Sequence, residues 1–333
     1  MTPKSSLRAL TGALAAGLLL LAGRGAVAAD LCSASEKADA DRALTLSASD
    51  KAKALEEHLP WGTPRPQSSP SGNEVQLVQS DYVIQYDSGL RIPIWTADHV
   101  VDAAIGKVDR SDCFRADPRL TKDAAASPTD YDEPIFDQGH LTPSADVTKS
   151  RLSVHNSFLM SNMAPQFCQF NRGVWQILEG LTRLWAKEYG EVYVLSGSVF
   201  DRNGDGVRDS DGLAVRMTSR NGQKRVAVPS AFYKIVARKR QDGGVEVLAV
   251  MMPHDQTDLD GKAAFDYIAS HITRLSKISA VTGLAFFPQA TSGPDEALSL
   301  WPFDLPGPKS LTNSPQCKRT AGALITGTYA LPN

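Results

Sequence analysis

Tyr82-Val83-Ile84-Gln85-Tyr86-Asp87-Ser88-Gly89-Leu90-Arg91-Ile92-Pro93-Ile94-Trp95 reads as two β-rich runs joined by a turn. β-Branched and aromatic residues suit a pleated, half-buried surface, and Asp87-Ser88-Gly89 provides the residues a hairpin turn needs. An antiparallel sheet therefore starts here, with Val75 to Val78 as a further strand upstream. Downstream, Gly173 to Tyr189 places Trp175, Leu178, Leu181 and Trp185 at helical spacing, and four β-rich runs follow: Val192 to Leu195, Arg225 to Val228, Phe232 to Ala237 and Val245 to Met251. Asp266 to Ser279 reads as a closing helix. Strands and helices are segregated rather than strictly alternating, which predicts an α+β domain built on a central antiparallel sheet flanked by helices, not a doubly wound parallel sheet.

The ends set the boundaries. Lys4 and Arg8, the apolar run Leu10 to Ala22 and the small-residue box Ala26-Val27-Ala28 have the three-part form of an export signal. That predicts a signal peptide over 1–28 and a secreted or periplasmic protein. No later stretch reaches the roughly 18 apolar residues a membrane span needs. Glu36 to Glu57 is material for one or two surface helices, and Pro60 to Asn73, with four prolines, is an irregular connector. The expected division is a helical segment and linker over 29–73, the main domain over 74–290 and an irregular tail over 291–333.

The formal net charge is −2, and loss of Lys4, Arg8 and Arg24 with the signal takes it to −5. Such a chain does not hold nucleic acid by general positive charge, so any contact of that kind needs a local cluster. Export makes disulfides the first reading of Cys32, Cys113, Cys168 and Cys317. Of the three connectivities, Cys113–Cys168 with Cys32–Cys317 is preferred, because the first two flank residues assigned below to one site.

Asp137-Gln138-Gly139-His140 follows a turn-rich stretch and presents an imidazole at an element end. Imidazole is well suited to take a proton from water near neutral pH, although a lone histidine beside Gly and Asp is more often a turn or packing residue. Asn171, Trp175, Glu179 and Arg183 recur every four residues and so share one helical stripe, polar at three of its four positions. Asn171 at a helix start is also a good N-cap, and Glu179 with Arg183 a plain i,i+4 surface ion pair. Asn171 and Glu179 lie roughly 12 Å apart along a helix axis, so only one would ligate a given ion directly and the other through water. Magnesium suits so sparse a set of oxygens.

These residues resemble the DNA/RNA non-specific endonuclease family that includes endonuclease G. The resemblance rests on Asp137 to Asp146, Phe158 to Gln166 and Asn171 to Glu179, in order and at matching spacing, and extends from about Val75 to Pro288. It implies a ββα-metal, or His-Me finger, site and hydrolysis of DNA and RNA with magnesium, or manganese in its place. His140 would deprotonate the attacking water, Asn171 ligate the metal directly and Glu179 hold metal-bound waters. Arg183 and Arg110 would steady the phosphate, with Asp137 orienting the loop. Relatives often dimerise, which makes a homodimer the expectation. One departure stands out: the family motif is Asp-Arg-Gly-His, and Gln138 occupies the arginine position. Arg115 and Lys149 are the cations expected to replace the missing guanidinium.

Asp201, Asn203, Asp205, Asp209 and Asp211 fall at positions 1, 3, 5, 9 and 11 of a loop with Gly206 at position 6, resembling a calcium loop whose position 12 is Gly212. Its plain reading is an Asp/Gly-rich connection between strands; its functional one is a structural calcium site. Two other functions compete with the nuclease: a catalytically inactive relative that binds nucleic acid, for which Gln138 is the clue, and an exported calcium-dependent interaction module. No G-x-S-x-G elbow or H-E-x-x-H pair supports a serine or zinc hydrolase.

Overall fold

The structure, a computed structural model, describes residues 32–68, 72–259 and 261–303. The expected signal segment and Cys317 lie outside them. In chain order the strands are β1 (Arg65–Pro66), β2 (Glu74–Val78), β3 (Val83–Asp87), β4 (Ile92–Val101), β5 (Phe136–His140), β6 (Met163–Phe167), β7 (Glu191–Val199), β8 (Arg216–Thr218), β9 (Lys224–Ala227), β10 (Ala231–Lys239), β11 (Val245–Pro253), β12 (Ile272–Thr273), β13 (Leu284–Ala285) and β14 (Asp295–Glu296). The helices are α1 (Ala34–Arg42), α2 (Ala48–His58), α3 (Arg151–Ser157), α4 (Cys168–Phe170), α5 (Gln176–Tyr189), α6 (Gly261–Ser270) and α7 (Leu275–Thr282).

The main sheet runs β12-β11-β10-β7-β4-β3-β2 with antiparallel neighbours, and β14 adds in parallel to β11. The α+β architecture with a central antiparallel sheet is as expected. The β3–β4 turn is built by Asp87, whose carboxylate accepts from the backbone N–H of Gly89 (2.7 Å) and Leu90 (2.8 Å). Arg91 takes the positive φ of 60° at the turn's exit. Beyond the turn, period-2 alternation sends successive side chains to opposite faces. Phe232, Val236, Val194, Leu248 and Val250 pack with Trp175, Leu178 and Trp185 on one face. Tyr233, Ile235, Leu195 and Val247 pack with Ala54 of α2 and Ile278 and Val281 of α7 on the other.

Two sequence expectations need correction. Asp266 to Ser279 is not one helix: α6 ends at Ser270, and Ile272–Thr273 pair with Ala249–Val250 as an edge strand before α7 begins. Pairing with an open sheet edge outweighs local helical propensity here. The disulfide is Cys32–Cys113, which excludes both Cys113–Cys168 and Cys32–Cys317. Cys168 is disulfide-bonded too, and no described cysteine is free. The 29–73 segment is closely attached to the rest: Cys32 anchors it, the Arg115 guanidinium donates to Asp41 (2.8 Å), and Asn156 donates to the Ala40 carbonyl (3.1 Å). At the other end Trp301 is buried against Trp185. Among the described residues no helix is long and apolar enough to cross a membrane.

Candidate active site

β5 and β6 form a two-stranded antiparallel ribbon with His140 opposite Met163, and α4 follows directly, giving a ββα unit. Gly139 is required by a close approach: a Cβ there would lie 2.2 Å from Oε1 and 2.6 Å from Cγ of the fully buried Gln166. The chain then passes through a widened turn, Asn171–Trp175, in which Gly173 leaves helical geometry (φ −104°, ψ −110°) before α5 resumes at Gln176. The helix expected from Gly173 thus begins as a buckle. Asn171 has helical dihedrals and closes α4 rather than acting as the N-cap of α5.

Asn171 and Arg172, adjacent in sequence, reach the same carboxylate at the start of the buckle. Asn171 Nδ2 donates to Asp137 Oδ2 (2.8 Å), and Arg172 forks onto Asp137 through Nε to Oδ2 and Nη2 to Oδ1, both 2.8 Å. Because only the amide nitrogen can donate to a carboxylate, Asn171 is fixed with its Oδ1 available for another partner.

A cleft of about 840 Å³ is lined by His140, Asp137, Gln138, Asn171, Arg172, Glu179, Arg183 and Arg110, with Phe114 and Gln176 among their neighbours. Every catalytic and magnesium-binding residue read from the sequence lies on this surface. The His140 ring is held by the edges of Phe158 and Phe114, at centroid distances of 4.8 and 6.1 Å, and its backbone carbonyl accepts from Trp175 Nε1 (3.1 Å). Its Nε2 is sealed from solvent without a hydrogen-bond partner, leaving Nδ1 as the ring nitrogen toward the cleft. Burial, and secondarily the charge of Arg110, holds the imidazole well below its usual pKa, so it is neutral near pH 7. Burial likewise pushes Glu179 up to about 7, against the pull of Lys234 and Arg183.

The expected Glu179–Arg183 surface pair does not form: Arg183 donates instead to the buried carboxylate of Asp146 (2.7 Å). Arg110 is braced by Asp112 (2.7 Å) and lies 4.8 Å over the Phe158 ring. Neither cation expected to compensate for Gln138 does so. Arg115 is buried among Asp41, Asn156 and the carbonyls of Cys113 and His155, and Lys149 pairs with Asp81 (2.6 Å) outside the cleft. Local sequence reading also passed over Arg172, although it stands beside Asn171, and Asp146, whose partner is 37 residues away.

The loop carrying Asp201 is tied to itself. Asp201 accepts from the Gly206 N–H (3.0 Å), Asp209 from the Arg202 N–H (2.7 Å), Asn203 donates to Asp205 (2.7 Å) and Arg208 to Asp211 (2.6 Å). Among the described residues no group of three or more acidic, histidine or cysteine side chains is arranged to hold a metal ion. Asp201, Asn203, Asp205, Asp209 and Asp211 thus belong to a hydrogen-bonded connection from β7 to β8, the plain reading of this stretch.

Comparison with known proteins bears on the whole cleft-bearing region. Nuclease C1 of Cunninghamella echinulata var. echinulata is 30% identical over 216 residues, which is 63% of this chain and 82% of that protein. Human mitochondrial endonuclease G is 30% identical over 182 residues, 54% of this chain and 60% of that protein, and mouse mitochondrial nuclease EXOG 27% over 218 residues, 63% and 56%. The chain thus spans less than two thirds of the length of the latter two. The solved structure of the EndoG/EndoGI complex contains a chain that aligns with a TM-score of 0.60 at 26% identity, covering 74% of this chain and 95% of that one. Residues 63–292 match the DNA/RNA non-specific endonuclease family, and with more than half its length so matched the chain belongs to that family.

Proposed function

We propose that this chain is an exported, metal-dependent endonuclease that hydrolyses phosphodiester bonds of both DNA and RNA, with His140 as general base. The observation that carries this reading is the convergence of a neutral, half-sealed imidazole, an amide oxygen fixed by its own nitrogen's hydrogen bond, a carboxylate and two guanidiniums on one cleft.

The donors fit a hard divalent cation. Asn171 Oδ1 would hold it directly and Glu179 through water, an all-oxygen set as sparse as magnesium tolerates, and manganese would fit the same donors. Bound there, the cation supplies positive charge against the negative charge that develops on phosphate and leaving oxygen. His140 takes the proton of the attacking water on Nδ1. An approaching phosphate anion offsets Arg110, and so raises the basicity of the imidazole at the moment it is needed. Arg183, fixed by Asp146, and Arg110, fixed by Asp112, receive the non-bridging oxygens through charge-assisted hydrogen bonds. These groups address the backbone of the substrate, which supports cleavage largely blind to base and sugar. The disulfide between Cys32 and Cys113 supports an oxidising compartment, the periplasm or the exterior.

The test is cleavage of plasmid DNA and total RNA by the mature protein with magnesium, with EDTA and as His140→Ala. Cleavage of both substrates, lost under the last two conditions, is expected. A folded wild type that binds but never cuts would replace the enzyme with the nucleic-acid-binding reading. The homodimer implied by the resemblance is checked by sedimentation of the same sample.

A further inference from the structure

We propose that Arg172 is a positioning residue of this site: by forking onto Asp137 it neutralises that carboxylate inside the cleft and locks the Asn171 amide with its oxygen presented. This rests on the nuclease reading above and extends it to a residue outside the sequence-derived site.

The geometry is a closed chain of contacts. Asp137 spends Oδ1 on Arg172 Nη2, and Oδ2 on both Arg172 Nε and Asn171 Nδ2. Asp137 is mostly buried and Arg172 about one third exposed, so the pair forms part of the cleft wall rather than a solvated surface contact. Without the guanidinium, Asp137 would be a bare carboxylate facing the place a phosphodiester must occupy, and a competing oxygen ligand beside Asn171. With it, the carboxylate is compensated, and its remaining hydrogen bond is directed to the Asn171 amide. Consecutive side chains of a regular helix point about 100° apart. Asn171 and Arg172 nevertheless meet on one carboxylate, and the chain leaves helical geometry directly after them at Gly173, where a Cβ would crowd the Leu259 carbonyl at 3.1 Å.

Position 138 explains why the burden falls on Arg172. Gln138 lines the same cleft but is neutral, and Arg115 and Lys149 are engaged elsewhere. A lysine at 172 would keep the charge and lose the fork, because an ammonium cannot make two parallel hydrogen bonds to one carboxylate in a plane.

The experiment compares wild type, Arg172→Gln and Arg172→Lys by thermal unfolding, by direct binding of Mn²⁺ to the substrate-free protein followed by electron paramagnetic resonance, and by kcat and KM on a defined duplex as magnesium is titrated. For Arg172→Gln the expected result is a near-native Tm, Mn²⁺ affinity and half-saturating magnesium worse by about tenfold or more, as for loss of a partner that orients a metal ligand, and a raised KM. Arg172→Lys should recover KM more than Mn²⁺ affinity, because charge is kept and orientation is not. Wild-type Mn²⁺ affinity in Arg172→Gln overturns the proposal while leaving the nuclease intact. Should that variant fail to fold, wild-type Mn²⁺ affinity in Arg172→Lys overturns it equally. A folded wild type that neither binds Mn²⁺ nor cleaves defeats the nuclease reading, and this proposal with it.

Discussion

The two faces of the central sheet are built to different rules. On the α7 side the central strands present Ala97, Leu195, Gly197, Tyr233 and Ile235, apolar or small throughout. On the cleft side the same strands present Thr96, Asp98, Ser196, Ser198 and Lys234, all buried. Thr96, Ser196 and Lys234 lie in register across three strands, and Lys234 Nζ donates to Ser196 Oγ at 2.5 Å and sits 4.7 Å from the Trp175 ring. Burying such groups is costly, and a fold seeking only stability would place aliphatic residues there. Apolar packing on both faces holds the domain together; the α7 side is otherwise dry, and only the wet, cleft-side face adds buried polar groups that set the electrostatics of the cleft above it.

The contrast is broken most sharply at His140. Its Nε2 is buried and unpartnered, a cost that offsets what the ring's packing on Phe158 and Phe114 contributes to stability. His140→Ala should lower kcat by about 10²–10⁴-fold, the range for losing a general base, with Tm almost unchanged. A variant that unfolds early instead would show that the residue belongs to the packing. The opposite signature is expected on the dry face. Ile235 is fully buried, and Ile235→Ala should cost about 2–5 kcal/mol in denaturant unfolding while the folded fraction cuts at the wild-type rate.

What could be read locally was read well. The β3–β4 hairpin follows from Asp87-Ser88-Gly89, and the order and spacing of Asp137–His140 and Asn171–Glu179 single out side chains that the fold brings together on one cleft. What failed depended on distant partners. Arg183 is drawn to Asp146 rather than Glu179, Arg115 to Asp41 across 74 residues, and Cys113 to Cys32 across 81. No periodicity encodes these. Ile272–Thr273 left the helix because β11 offered an open edge.

The Cys32–Cys113 bond lies near the edge of the comparison, since it ties the N-terminal segment to the wall bearing Arg110 and Phe114. Cys32→Ala/Cys113→Ala should lose about 2–4 kcal/mol of stability. It should also raise KM more than it lowers kcat, because in the proposed mechanism Arg110 holds phosphate and takes no part in the proton transfer. Equal kinetics at a temperature where the variant is folded would confine the disulfide to stability.

Metal and pH probe the wet face alone. Burial raises Glu179 to about 7 and Asp98 to about 8, so the metal-free native state binds protons that the unfolded chain has released. Their contribution to stability is present below pH 4 and lost as pH rises through those raised values. A cation at the cleft compensates the charge that then appears on Glu179. Magnesium at one fixed concentration, about a hundredfold over its Kd at pH 8, should therefore raise Tm by roughly 5–10 °C at pH 8 and far less at pH 5, where its Kd is weaker. A shift independent of pH would detach Glu179 from the metal.

Lys234 gives the finest discrimination, because it is the wet face's buried cation and touches no substrate in the proposed mechanism. Its charge pulls down the pKa of both Glu179 and Asp98, and burial lowers its own. Lys234→Met keeps the volume and the packing on Trp175 but removes that pull. Glu179 should then hold its proton to higher pH, and the acid limb of kcat/KM should move up by roughly half a unit to one unit. The high-pH plateau should change little, since His140 and the arginines are untouched. Superimposable pH profiles would mean that the lysine only fills space beneath α5, and that the polar character of this face stops short of governing the chemistry.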